Sequence, residues 1–166
     1  MPKFACVEDF RKHAEWRVPR MFYDYADSGS WTESTYRANE TDLQALKFRQ
    51  RVGIDVSQRS TQMPMLGEML PMPVAIAPTG LTGMQHADGE ILGAKAAEAF
   101  GVPFTLSTMS ICSIEDVAAN TEKPFWFQLY VMRDRDFISR LVDRARDANR
   151  SALMLSLIHI SEPTRR

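Results

Sequence analysis

The chain has 166 residues, enough for one domain that buries about two thirds of the surface of its unfolded state. Hydrophobic residues make up 45% of the chain and charged residues 25%, which is the composition of a folded globular protein and excludes a disordered one. Its 20 Lys and Arg residues balance 21 Asp and Glu residues, and this near-neutral charge argues against a nucleic-acid partner.

The first part of the chain is polar and aromatic, and its patterns predict short helices. Apolar side chains recur at helical spacing in residues 7–16, Pro19 opens a second helix in the stretch PRMFYDYADSG, and residues 32–46 form a third. We expect residues 48–73 to be irregular because four residues break any long element there: Pro64, Gly67, Pro71 and Pro73. The pattern therefore predicts a helical segment over residues 1–60.

From residue 74 onward, short apolar runs alternate with helical patterns. The runs are residues 74–77, 103–106, 125–130 and 152–155, and the helical patterns between them are DGEILGAKAAEAFG, SIEDVAAN and DRDFISRLVDRARDAN. Ser113 is the predicted N-cap of the second of these helices, ahead of two acidic residues in the first turn. Strands and helices that alternate every 20–30 residues or so are typical of parallel βα units.

Two α/β architectures fit this alternation: an open doubly wound sheet, and part of a (β/α)8 TIM barrel. The doubly wound fold would favour a GxGxxG turn after its first strand, whereas the stretch APTGLTGMQ contains only GxxG. A complete barrel needs eight strands and about 250 residues. If the fold is a barrel, the chain holds its N-terminal part, about four of the eight βα units, preceded by the helical segment.

Polar residues follow the predicted strands at the ends where barrel enzymes bind their ligands. Thr79, Ser107 and Gln128 carry hydrogen-bonding groups that suit a flat polar heterocycle, and Pro78 and Gly80 would let the backbone approach it closely. The same residues also fit strand termination and turn formation. The pattern alone favours turns.

Several other kinds of chemistry find no support in the sequence. His13, His86 and His159 have no metal-ligand spacing with one another or with a cysteine, so no metal site is predicted. Cys6 and Cys112 form no CxxC motif, which favours a reducing, cytoplasmic compartment. No apolar stretch reaches the roughly 18–20 residues that span a bilayer, which leaves peripheral association with the inner membrane open.

Four segments of the chain carry a family resemblance. FYDYADSGSWTESTYRAN, MPVAIAPTGLTGMQHADGE, PFTLSTMSICSIEDVA and PFWFQLYVMRDRDF resemble, in this order, the FMN-dependent α-hydroxy-acid dehydrogenase/oxidase family, and most of all its bacterial L-lactate dehydrogenase branch. The resemblance runs from about residue 7 to about residue 155. It implies a (β/α)8 barrel behind an N-terminal helical segment, with FMN as the cofactor.

The resemblance also implies a reaction and its partners. The reaction is oxidation of an (S)-2-hydroxy acid, with L-lactate to pyruvate as the expected case, and electrons pass through FMN to a quinone, a cytochrome or oxygen. The full-length protein is expected to be a homo-oligomer. Met109 stands where some relatives carry a tryptophan against the substrate, so the length of the preferred substrate stays open.

Residue roles follow from the resemblance alone. Tyr25 and Tyr130 match tyrosines that bind the substrate. Five residues match positions that bind FMN, three in a loop beside the flavin and two against its ring: Ala77, Pro78, Thr79, Ser107 and Gln128. The catalytic histidine, its aspartate partner and the arginines that hold the substrate carboxylate are expected beyond residue 155, so no catalytic residue is predicted within the chain.

The C-terminal stretch departs from the family pattern. The fourth strand of relatives continues as Thr-x-Asp, whereas this chain has Ser156-Leu157-Ile158, and LSLIHISEPTR back-translates naturally into a transposase-type sequencing adapter. We therefore expect residues 1–155 to be the N-terminal part of the family domain, with residues 1–60 helical and residues 74–155 the first half of the barrel. Residues 156–166 are expected to be a non-native tail, and the truncated chain to be a non-catalytic fragment that does not bind FMN stably.

Overall fold

The structure, a computed structural model, describes residues 4–148 and 150–157. The chain divides into two compact units, Met1–Ser60 and Thr61–Arg166. The first unit contains three helices: α1 (Val7–Arg17), α2 (Arg20–Ala26) and α3 (Ser34–Ala45). All three predicted helices are therefore present, and α3 is shorter than the predicted range at its start.

A single carboxylate joins the three helices of the first unit. Asp27 accepts hydrogen bonds from Arg11 of α1 at 2.9 Å, from the Tyr23 hydroxyl of α2 at 2.9 Å and from the Tyr36 hydroxyl of α3 at 3.3 Å. None of the three helices has a fully buried residue. Polar contacts rather than a hydrophobic core therefore connect these helices to one another.

The second unit begins with a β-hairpin that was not predicted. Strands β1 (Met63–Met65) and β2 (Glu68–Leu70) pair antiparallel around the turn residues Leu66 and Gly67, whose φ angles are +49° and +88°. Two successive positive φ angles give the turn twist that hairpins prefer, and a glycine suits the second position. Pro64 is tolerated because both strands of an isolated hairpin are edge strands. The expectation of irregular structure is wrong for these residues.

A parallel sheet with consecutive strand order follows. Strands β3 (Thr105–Ser107), β4 (Trp126–Leu129) and β5 (Ala152–Leu155) pair in that order, and a parallel bridge joins Ile76 to Phe104 ahead of them. The described residues of this unit also form four helices: α4 (Thr82–Gln85), α5 (Gly89–Phe100), α6 (Ile114–Ala119) and α7 (Arg135–Asp147). Neighbours in sequence are therefore neighbours in the sheet, without the reversal of order that defines a doubly wound fold.

The first predicted strand forms only this bridge. The Ile76 amide donates to Pro103 O at 2.8 Å, and the Thr105 amide donates to Ile76 O at 3.1 Å. Val74 and Ile76 are 46% and 40% exposed, because in the described residues this segment has a paired neighbour on one side only. The prediction of a full strand over residues 74–77 is therefore wrong in extent, although its position in the strand order is as expected.

A hydrophobic cluster joins the sheet to its helices. Its sheet members include Leu106 and Phe127, which are 0% and 1% exposed, and its helix members include Ala94, Val117 and Ala145. Burial of each large apolar side chain contributes about 1.5–3 kcal/mol to folding. Alternation along the strands turns the intervening residues to the opposite face of the sheet, and several of those are polar.

Two helices are fixed by polar contacts that the sequence partly predicts. The Ser113 side chain accepts a hydrogen bond from the Asp116 amide at 3.0 Å, which confirms Ser113 as the N-cap of α6. Glu115 in the first turn of α6 receives two hydrogen bonds of 2.7 Å from the Arg144 guanidinium of α7. These contacts hold α6 and α7 side by side.

The sheet ladder extends one residue beyond β5, where the Ser156 amide donates to Leu129 O at 2.9 Å. Most of the predicted tail, residues 158–166 with Ile158 among them, lies outside the described residues.

Candidate functional site

Two buried polar side chains face each other at the carboxyl ends of β3 and β4. Ser107 and Gln128 are register partners, and they are 2% and 5% exposed. The Ser107 hydroxyl donates to Gln128 Oε1 at 3.2 Å and accepts from the Met109 amide at 3.0 Å. Gln128 lies inside β4, so its interpretation as a turn residue is wrong, whereas Ser107 ends β3 and its carbonyl accepts from the Ser110 amide at 3.1 Å, so the turn interpretation fits Ser107.

Neither N–H of the Gln128 side-chain amide is used. Its Nε2 atom is buried and has no hydrogen-bond partner in the described structure. A buried donor without a partner costs about 1–3 kcal/mol, and such groups are rare in folded proteins. A planar ring with carbonyl or ring-nitrogen acceptors, placed at the carboxyl ends of these strands, would accept hydrogen bonds from Nε2.

The loop after the first parallel segment lies beside this pair. A Cβ atom added at Gly80 would lie 2.9 Å from Met109 Cβ and 3.6 Å from Ser107 Oγ, so glycine permits the close approach of the two loops. The Leu81 amide donates to Met109 O at 3.0 Å. Ala77 and Thr79 are exposed and Pro78 is half-buried, and the Thr79 hydroxyl donates to Ala77 O at 3.4 Å. The turn interpretation therefore fits Thr79.

Thr108, which the sequence analysis did not single out, holds the end of β4. Its hydroxyl donates to Gln128 O at 2.6 Å and accepts from the Tyr130 amide at 3.2 Å. Tyr130 is half-buried immediately beyond β4. The register of β3 against β4 thus fixes the backbone on both sides of Gln128 and Tyr130.

Tyr25, the other predicted substrate-binding residue, lies on α2 in the first unit, whereas the remaining predicted site residues lie in the second unit. Its side chain is 68% exposed, while that of Tyr23 is half-buried and bonded to Asp27. Tyr23 therefore packs within the first unit, and Tyr25 points away from that packing.

A buried carboxylate next to the site was also missed. Glu90 is 1% exposed, and its Oε1 atom accepts hydrogen bonds from the Gly83 amide at 3.2 Å and the Ile111 amide at 3.0 Å. Burial alone would raise the pKa of Glu90, but the Ile111 amide and the neighbouring Thr82 and Cys112 side chains outweigh it and lower the pKa from 4.5 to about 2. In the sequence, this residue reads only as an acidic residue in the first turn of a helix.

Neither a metal-binding cluster nor a membrane-spanning helix occurs among the described residues. No group of three or more His, Cys, Asp or Glu side chains in this part of the chain is arranged to hold a metal ion. None of the helices among residues 4–148 and 150–157 combines the length and the apolar character needed to cross a membrane.

Comparison with known proteins identifies the family. The profile of the FMN-dependent dehydrogenase family matches residues 14–162. The L-lactate dehydrogenase of Actinobacillus pleuropneumoniae serotype 5b is 48% identical over 153 residues, and that of Alcaligenes faecalis is 45% identical over 149 residues. These matches cover 92% and 90% of this chain, and 40% and 39% of the relatives. The chain thus spans about 40% of the length of these relatives.

Solved structures agree in fold. A soluble mutant of the membrane-associated (S)-mandelate dehydrogenase from Pseudomonas putida superposes with a TM-score of 0.83 at 40% identity, over 90% of this chain and 42% of that one. A mandelate oxidase superposes with a TM-score of 0.84 at 33% identity, over 92% of this chain and 44% of that one. These neighbours are TIM-barrel enzymes, so the consecutive parallel strands are the N-terminal part of a (β/α)8 barrel, as the sequence predicted. The chain belongs to the family of FMN-dependent dehydrogenases.

Proposed function

We propose that the protein to which this chain belongs oxidises an (S)-2-hydroxy acid, with L-lactate to pyruvate as the reaction, and passes the electrons through FMN. The observation that carries the proposal is the buried Ser107–Gln128 pair with its unused amide donor, at the end of the strands where barrel enzymes bind ligands. The relatives at 44–48% identity are named L-lactate dehydrogenases, which supports L-lactate as the substrate.

The residues at the carboxyl ends of β3 and β4 suit FMN. Ser107 and Gln128 would hydrogen-bond the isoalloxazine ring, and the backbone of Ala77, Pro78 and Thr79 would run along it. The unpartnered Nε2 atom of Gln128 is the donor that such a ring requires, and Gly80 keeps the loop close to Ser107. When bound, FMN accepts the two electrons that leave the substrate as the hydroxyl carbon becomes a ketone.

The substrate would lie against two tyrosines of this chain. We assign Tyr25 and Tyr130 to the carboxylate and hydroxyl of the hydroxy acid, because a phenol donates a hydrogen bond without adding charge. Thr108 supports Tyr130 through its backbone amide. The base that removes the substrate proton, and the cations that pair with its carboxylate, are assigned to the part of the protein beyond residue 155.

The finer points of the cellular setting are also proposals. The acceptor of the electrons is a quinone, a cytochrome or oxygen, and the full-length protein is a homo-oligomer in the cytoplasm. Attachment to the inner face of the membrane is the alternative location, and it is supported by one structural relative, the membrane-associated (S)-mandelate dehydrogenase. The domain comprises residues 1–155, with residues 1–60 as its helical segment and residues 74–155 as the first half of the barrel.

A second candidate concerns the 166-residue polypeptide itself: it is a non-catalytic fragment that does not retain FMN. Its coverage of about 40% of the relatives supports this proposal. So do the side chains of β5, where Leu153, Met154 and Leu155 are 38–49% exposed at the edge of the sheet. We expect the purified chain to elute without flavin absorbance and to reduce no dye with L-lactate. Yellow protein with lactate turnover would refute this proposal.

A fusion separates the two proposals. Residues 1–155 of this chain are joined to the matching C-terminal part of the Actinobacillus pleuropneumoniae L-lactate dehydrogenase, and the product is called the fusion enzyme below. We expect it to bind FMN and to oxidise L-lactate but not D-lactate. (S)-Mandelate is the alternative substrate with which L-lactate is compared. A folded fusion enzyme without flavin would overturn the FMN assignment, and preference for (S)-mandelate would overturn the assignment of L-lactate. Sequencing the gene beyond codon 155 tests directly whether residues 156–166 are a non-native tail.

A further inference from the structure

Glu90 has no role in the proposed reaction, yet it is one of the most deeply buried side chains of the described structure. It stands in the first turn of α5 and is 1% exposed. A buried carboxylate is costly unless hydrogen bonds compensate for the loss of water. Two backbone amides from different loops bind Oε1, while Oε2 is buried and has no hydrogen-bond partner in the described structure, so the position of Glu90 is informative about those loops.

The two loops follow successive segments of the sheet. Residues 77–83, a loop that runs into the first two residues of α4, follow the Ile76 bridge, and residues 108–112 follow β3. Oε1 of Glu90 accepts the Gly83 amide of one loop and the Ile111 amide of the other, at 3.2 and 3.0 Å. One oxygen atom therefore connects the two loops.

Backbone contacts fix the same spacing. The Leu81 amide donates to Met109 O at 3.0 Å, and this contact lies two residues before Ile111 on one side and two residues before Gly83 on the other. A Cβ atom at Gly83 would lie 2.7 Å from Ile111 Cβ, so the loops touch with no spare room. The loops cannot move closer, and Glu90 keeps them from moving apart.

We infer that Glu90 is a positioning residue that holds the loop of Ala77–Thr79 against the loop of Ser107. In this way it sets the geometry of the proposed FMN site. This inference rests on the proposed function, in which these loops bind FMN. Both contacts are partly buried, so loss of the carboxylate would leave the Gly83 and Ile111 amides without their acceptor. The loops would then separate until water reaches those amides.

The test compares three substitutions of Glu90 with a control in the fusion enzyme. Glu90→Leu removes both acceptor contacts, Glu90→Asp keeps the charge but shortens the reach, and Glu90→Gln keeps an oxygen in place. Val117→Ala is the matched control, because Val117 is 0% exposed on α6 within the hydrophobic cluster and its side chain has no hydrogen-bonding group. The readouts are the FMN dissociation constant, the visible spectrum of the bound flavin, and hydrogen exchange at the Gly83 and Ile111 amides.

We expect Glu90→Leu and Glu90→Asp to weaken FMN binding by about tenfold or more, to shift the flavin spectrum and to speed exchange at both amides. Glu90→Gln should stay within about threefold of the parent enzyme, and Val117→Ala should lower the unfolding midpoint while leaving FMN binding and the spectrum unchanged. Unchanged binding and exchange in Glu90→Leu would overturn the inference, as would equal losses in Val117→Ala. If the parent fusion enzyme itself binds no FMN, the proposed function fails, whereas the exchange at Gly83 and Ile111 still decides whether Glu90 joins the loops.

Discussion

Gln128→Met gives the sharpest test of the candidate site, because its effects on stability and on FMN binding are expected to differ. Methionine is about as long as glutamine and lies without strain in the same buried position. Removing Nε2 relieves a buried donor without a partner, which is worth about 1–3 kcal/mol. Removing Oε1 takes away the acceptor of the Ser107 hydroxyl, which costs about the same amount.

The two terms nearly cancel, so the unfolding free energy of the FMN-free fusion enzyme should change by less than about 1 kcal/mol. The FMN-bound form should lose about tenfold or more in FMN affinity, because the ring then faces a side chain that cannot donate. Urea unfolding followed by circular dichroism measures the first quantity, and quenching of flavin fluorescence during titration measures the second.

Phe127→Leu is the matched control, since Phe127 is the neighbouring strand residue and is 1% exposed within the hydrophobic cluster. It should cost about 1–2 kcal/mol of stability and leave FMN affinity within about twofold. A loss of more than about 3 kcal/mol in FMN-free Gln128→Met would refute the reasoning, because it would mean that Nε2 has a partner. Unchanged FMN affinity would remove Gln128 from the cofactor site.

Three further predictions concern the fusion enzyme. A double-mutant cycle on Glu115→Gln and Arg144→Gln should give a coupling of about 0.5 kcal/mol at pH 7, because both side chains are about half exposed. The hydrogen bond from Arg144 lowers the pKa of Glu115 from 4.5 to about 2. The coupling should therefore be complete above about pH 4.5 and disappear as the pH falls through 2. A coupling that is constant over this range would contradict the prediction. Ser113→Ala should cost about 1 kcal/mol in urea unfolding, since it removes the cap of α6, whereas Ser113→Asp should retain most of the stability. Tyr130→Phe should lower the turnover of L-lactate about tenfold or more with little change in unfolding free energy, and unchanged kinetics would remove Tyr130 from the site.

The sequence predicts the strands well where burial on both faces makes them continuously apolar. Phe125 to Leu129 is apolar except for Gln128, and β4 is buried at every position. The hairpin of residues 63–70 escapes prediction because its strands have three residues each, contain Pro64 and meet in a turn whose first residue, Leu66, is an unusual choice for a positive φ.

The candidate site is only partly predictable, for a physical reason. Ser107 and Gln128 follow apolar residues, and their types suit a turn as well as a ligand; only the register of β3 against β4 places one opposite the other. Thr108 and Glu90 are less visible still. A threonine and a helical glutamate are common on protein surfaces, and their contacts join residues about 20 apart in sequence, which no local pattern encodes.

The consecutive strand order also bears on how the protein is made. Each paired strand meets its partner across about 20–30 residues, and the bridge, β3, β4 and β5 are added in the order of synthesis. Loops of this length close quickly, because the entropy of closure grows only with the logarithm of loop length. On the ribosome, each new strand therefore emerges beside a template that is already in place, and the Ser107–Gln128 pair can form as soon as β4 has left the exit tunnel.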